Sequence, residues 1–122
     1  MTDDKAKSIL SSFFELEKAY FYKDINCNLY NTAKRLNTNQ AYLSRIVNEY
    51  LHMSFREYIN KLRIQYLLKI YHDDHKLKYY TVKAIGQELG FKSTNTFRKA
   101  FKEYAKTEFS NYKKTSLLLD QQ

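Results

Sequence analysis

The chain has 122 residues, 43% of them apolar, with no proline, two glycines and one cysteine. That suits one small domain, or two very small ones sharing an element. The lone Cys27 excludes an internal disulfide framework and implies a reducing compartment, and no apolar run approaches the ~18 residues of a membrane span or the core of a signal peptide near Met1. Twenty-one Lys+Arg against 13 Asp+Glu leave a net charge of +8, which favours a polyanionic partner, nucleic acid or an anionic membrane surface.

The charge is unevenly spread. Residues 1–27 carry four basic and five acidic side chains, residues 28–75 seven and four, and residues 76–122 ten and four. Few helix breakers and long stretches of 3.6-residue apolar periodicity predict an all-helical fold.

Residues 3–22 read as a first, supporting helix. Ile9, Leu10, Phe13, Phe14, Leu16 and Tyr20 recur on one side, with Glu15 and Glu17 opposite. Lys23 to Asn28 is a polar connection with Asp24 or Asn28 as cap. Leu29, Ala33 and Leu36 then give a short helix, Asn37-Thr38-Asn39 a turn, and residues from Gln40 to Leu51 a second helix. Tyr42, Leu43, Ile46, Val47 and Tyr50 point inward in that helix. Gln40, Ala41, Ser44, Arg45 and Asn48 point outward.

Residues 54–73 follow as a long helix. Ser54 and Glu57 are spaced as a capping box. Phe55, Tyr58, Ile59, Leu62, Tyr66, Leu67 and Ile70 form its apolar stripe. A helix of about 20 residues spans about 30 Å, close to the ~34 Å repeat of the major groove. His72-Asp73-Asp74-His75 ends it. Two histidines there suit a polar cap and turn better than a metal site.

Thr81 to Tyr104 then repeats the earlier pattern. Val82, Ile85 and Leu89 face inward on a short helix. Gly86 leaves room for a crossing helix, and Gly90 ends the element. Phe91 plugs the turn and Ser93 caps a second helix with Phe97, Ala100, Phe101 and Tyr104 inward. Its outer face carries Thr94, Asn95, Arg98, Lys99 and Lys102. Ala33 takes the place of Gly86, Asn37 of Gly90, Leu43 of Phe97 and Val47 of Phe101, with one extra residue in the second turn. A helix, a tight turn and a second helix with a polar, cationic face is the plan of a DNA-reading helix-turn-helix. Taken singly, each copy also fits a helical hairpin with a solvated face. Two copies in register favour the first reading. Residues 107–119 make a last helix with Phe109, Tyr112, Ser116 and Leu119 on one face. Leu117-Leu118-Leu119 forms an apolar run that packs on the core or on a segment outside it.

These residues line up with a known family. Tyr42-Leu43-Ser44-Arg45, Ser54-Phe55-x-x-Tyr58-Ile59-x-x-Leu62-Arg63, Ala84-Ile85-x-x-x-x-Gly90-Phe91-x-Ser93 and Phe97-x-x-x-Phe101-Lys102 resemble the DNA-binding domain of AraC/XylS-type bacterial transcription regulators. The basic, tyrosine-rich style resembles the Bacteroidetes branch. The resemblance covers about residues 8–115.

It implies about seven helices in a homeodomain-like, all-α arrangement. One domain over 1–122 would hold a first helix-turn-helix unit at about 8–53, a linker helix at 54–73 and a second unit at about 79–119. It implies sequence-specific binding of double-stranded DNA in adjacent major grooves, often with bending. By position, the base-contact candidates are Gln40, Ala41, Ser44 and Arg45, then Thr94, Asn95, Arg98 and Lys99. The phosphate candidates are Asn39, Lys92, Ser93 and Lys102. RNA polymerase or a sensory or dimerisation domain is a further implied partner, and the implied location is the bacterial cytoplasm, on the nucleoid. The residues suggest no enzyme, cofactor, metal, small-molecule ligand or membrane contact. A helical protein-interaction module and a non-specific RNA binder are the alternatives. The sequence departs from the family pattern in the turn Tyr50-Leu51-His52-Met53, which usually has a glycine, at Lys106 and Phe109, where glycine and proline are usual, and at Gly86, where alanine is.

Overall fold

The computed structural model describes residues 3–120, all of them in helices, turns and connections. Seven α-helices follow one another: α1 (Asp3–Lys18), α2 (Leu29–Arg35), α3 (Gln40–Leu51), α4 (Phe55–Ile70), α5 (Val82–Glu88), α6 (Thr94–Ala105) and α7 (Phe109–Asp120). Short 3₁₀ turns lie at Phe21–Lys23 and Leu77–Tyr79. The chain divides into two compact units, Met1–Ile59 and Asn60–Gln122, the boundary falling inside α4.

In the first unit, α1 stops four residues short of the span its periodicity suggests. Tyr20 takes a left-handed conformation (φ 62°) that breaks the helix and leaves the ring half exposed. Phe21 and Tyr22, in the 3₁₀ turn that follows, are buried in its place. Phe13 is the centre of this core. Its ring lies 5.7 Å from Phe21, 6.0 Å from Phe55 and 5.7 Å from Tyr58. Fully buried Leu43, Ile46 and Val47 complete it from α3. The Tyr58 hydroxyl donates to the Glu17 carboxylate. Burial first, and then that carboxylate, push the Tyr58 hydroxyl above its ordinary range.

In the second unit Ile64 and Leu67 of α4 and Tyr71, just past its end, pack with Leu77, Ile85, Leu89, Phe91, Phe97, Ala100, Phe101 and Phe109. The stripe expected for α4 misses Arg63, Ile64 and Tyr71, all buried. The helix itself ends at Ile70, so its 16 residues span about 24 Å, shorter than the 54–73 span suggests. His72 lies just beyond it. The Ser116 hydroxyl is 3.3 Å from its Nδ1 and the Tyr112 hydroxyl 3.5 Å from its Nε2, so the ring joins the end of α4 to α7. The last helix begins at Phe109, two residues later than its sequence suggests. Phe109 and Ser116 are buried, but Leu119 is 57% exposed, as are much of Leu117 and Leu118, because α7 runs on past the core.

Local capping explains where the helices start. Asn28 Oδ1 accepts from the Asn31 N–H at 2.8 Å, Ser54 Oγ from the Glu57 N–H at 3.1 Å, and Thr81 Oγ1 from the Ala84 N–H at 3.1 Å. Asp24 instead forms a turn onto the Asn26 N–H.

His52 and Lys106 end α3 and α6 in the left-handed conformation, with φ of 58° and 63°. They hold the geometry that glycine adopts cheaply. His52→Gly and Lys106→Gly should therefore each raise stability by about 0.5–1 kcal/mol net of glycine's extra backbone entropy, read as a higher urea midpoint. A lower midpoint for either would show that its side chain contributes more than its backbone strain costs.

Candidate nucleic-acid interface

The two turns are built alike, hydrogen bond for hydrogen bond. After α2, the Asn37 N–H donates to Lys34 O at 3.1 Å and the Thr38 N–H to Ala33 O at 2.9 Å. After α5, the Gly90 N–H donates to Gln87 O at 3.0 Å and the Phe91 N–H to Gly86 O at 2.9 Å. Both are Schellman ends with a left-handed residue, Asn37 (φ 56°) and Gly90 (φ 94°). Each following helix is 12 residues long and capped by a side chain. Asn39 Oδ1 accepts from the Tyr42 N–H at 2.9 Å and Ser93 Oγ from the Thr96 N–H at 3.0 Å. The second turn is longer by one residue, as its sequence indicates. Gly86 is where the second pair of helices crosses closely, since a Cβ there would meet Phe97 Cβ at 3.3 Å.

Counting from the two caps puts the outer faces in register. Gln40 corresponds to Thr94, Ala41 to Asn95, Ser44 to Arg98 and Arg45 to Lys99. Ala41 and Asn95 are exposed in both copies, as are Arg45 and Lys99. Ser44 and Arg98 are half-buried in both. The inward positions agree as well: Leu43 and Phe97, and Val47 and Phe101, are fully buried. Each candidate base contact thus sits on the first turns of its helix, on the side away from the core. The Asn48 amide, one turn further along α3, donates one N–H back to Ser44 O at 2.8 Å.

The phosphate candidates have more mixed surroundings. Lys92 is exposed beside the N-terminus of α6. Asn39 and Ser93 use their side-chain oxygens as caps, which leaves the first amides of α3 and α6 facing outward. Lys102 Nζ lies 3.3 Å from Glu108 Oε1 in an exposed ion pair. Pairs of this kind are weak in water and exchange readily for another anion. Lys83 and Gln87 are additions that the sequence reading passed over. They line, with Gly86, Phe91, Lys92, Ser93 and Thr94, a crevice of about 30 Å³ between α5 and the start of α6. Their four-residue spacing opposite the apolar face of α5 is the signal that could have found them. Among the described residues no group of three or more His, Cys, Asp or Glu converges as a metal site.

Comparison with known proteins agrees with this geometry. A family model described as a helix-turn-helix domain matches residues 32–115. The chain is 34% identical over 85 residues to the Msm operon regulatory protein of Streptococcus mutans, a match spanning 67% of this chain and 28% of that protein. Two solved structures share the fold at low identity. One is the C-terminal domain of AraT, a response regulator from Geobacillus stearothermophilus (TM-score 0.71, 20% identity, 88% of this chain and 84% of that one). The other is an AraC-type transcriptional regulator from Chromobacterium violaceum (TM-score 0.69, 15% identity, 93% of this chain and 96% of that one). The chain belongs to the AraC/XylS family of helix-turn-helix, DNA-binding transcription regulators.

Proposed function

We propose that α3 and α6 are two recognition helices that enter neighbouring stretches of major groove and read one asymmetric site. The observation that carries this is the shared register of their outer faces, set by matching turns and caps. Gln40, Ala41, Ser44 and Arg45 would face bases in one half. Thr94, Asn95, Arg98 and Lys99 would face them in the other. Arg98 suits guanine O6/N7 and Asn95 suits adenine N6/N7. Ala41 is small for such a contact, so the first half reads less sequence than the second. Asn39, Lys92, Ser93 and Lys102 hold phosphates and fix the register.

In this reading the protein acts on the nucleoid in the bacterial cytoplasm. None of its described helices is long and apolar enough to cross a membrane. The matched segment is a small part of its longer relative, which supports a sensory or dimerisation domain as a further partner; RNA polymerase is the other partner in this reading.

Selection from a random duplex library tests the proposal. It should return two blocks of preferred bases, and binding to the selected site should survive heparin and single-stranded RNA competitors while falling steeply with salt. A protein that shifts no duplex, or prefers the single strand, would be an interaction module or an RNA binder instead. Lys102→Ala should weaken every duplex alike and lower the salt slope by about one. An unchanged slope would leave Lys102 to its partner Glu108.

A further inference from the structure

Among the described residues, the charged side chain that the protein buries is Arg63, at 6% exposure in the middle of α4. Its guanidinium carbon lies 5.1 Å from the centre of the Phe91 ring. Phe91 is the residue that closes the second turn, through its N–H to Gly86 O. Its ring is in turn 5.5 Å from that of Phe97, on the inner face of α6 next to Asn95 and Arg98. A chain of contacts therefore runs from α4 through the turn to α6.

A planar cation on an aromatic face restricts how the ring can tilt, which an aliphatic side chain of the same volume does not. A buried charge is also a poor route to stability, since well-packed apolar replacements are often as stable or more so. Its use here fits a geometric task. The other copy supports this. At the position of Phe91 it has Thr38, in a turn one residue shorter, and no ring for a cation to hold. The added residue makes the second turn the one in need of a clamp.

We infer that Arg63 is a positioning residue for DNA reading, fixing the Phe91 ring and through it the pose of α6. This rests on α6 being a recognition helix. The test compares discrimination in the two halves of the selected duplex, using single-base changes in each. Arg63→Met and Phe91→Leu should each reduce discrimination in the α6 half about tenfold, the range expected for coupling between contacting residues. The double variant should lose no more than either alone. Discrimination in the α3 half and the salt slope should stay unchanged, and Arg63→Lys should restore part of the loss.

Wild-type discrimination in a folded Arg63→Met protein, or equal losses in both halves, overturns the inference. If Arg63→Met does not fold, the same comparison is made with Arg63→Lys and Phe91→Leu, and unchanged discrimination in both overturns it equally. A wild-type protein that does not select duplex at all would instead remove the reading of α6 on which this stands.

Discussion

Phe97→Ala is expected to lower stability by about 3–5 kcal/mol, the usual cost of emptying a buried phenylalanine site. The side chain is fully buried. Its ring meets Phe91 at 5.5 Å, Phe109 at 5.2 Å and Phe101 at 6.2 Å, and its Cβ rests against Gly86. With four elements meeting on one ring, the site has little freedom to collapse around a methyl group. The loss approaches the whole stability of a small domain. Urea unfolding of the wild-type and variant proteins would measure it. Phe97→Leu, which keeps most of the volume, should cost well under half as much. A cost below about 1 kcal/mol for the alanine variant would mean that Phe97 is not the point where α5 and α6 meet.

Arg98→Ala is expected to remove about 1–3 kcal/mol of discrimination at one base position and little elsewhere. Arg98 lies on the second turn of α6, half-buried, in register with Ser44 of the other copy. The difference between those two residues is the main chemical asymmetry of the two faces. An arginine there can take both acceptors of a guanine, whereas a serine accommodates several bases. Binding to a panel of single-base variants of the selected site would separate the outcomes. A uniform loss across the panel, with a lower salt slope, would make Arg98 a phosphate contact. Ser44→Ala at the equivalent position should have the smaller effect, which would rank the second unit above the first as the source of specificity.

Much of this was legible in the sequence because it depends on near neighbours. The caps at Asn28, Asn39, Ser54 and Ser93, the left-handed turn at Gly90 and the in-register copy at Asn37 are set by side chains within a few residues. The close helix crossing was legible too, from the small Gly86 four residues before Gly90. The candidate reading face followed from the same local rules, since a cap fixes where a helix begins and 3.6 residues per turn fixes what lies opposite the apolar stripe.

Other features depended on which surfaces the rest of the chain covers. Periodicity carried the first helix through Tyr20, but the left-handed Tyr20 ends it and Phe21 and Tyr22 fill the core. The apolar spacing of α7 includes Leu119, yet the core ends before reaching it. Nothing in the pattern of α4 shows that Arg63 is buried against Phe91, 28 positions away, because an arginine in a helix is ordinarily solvated. The pairing of Lys102 with Glu108 and the approach of Ser116 to His72 are equally matters of folding.

The amino-acid sequence by itself determined the helices, the two turns, the duplicated plan and the family, because these follow from short-range geometry and from motifs that survive in order. Only the tertiary structure decided which side chains are sealed from water and which elements lean on one another. Burial is set by distant residues that no local period records.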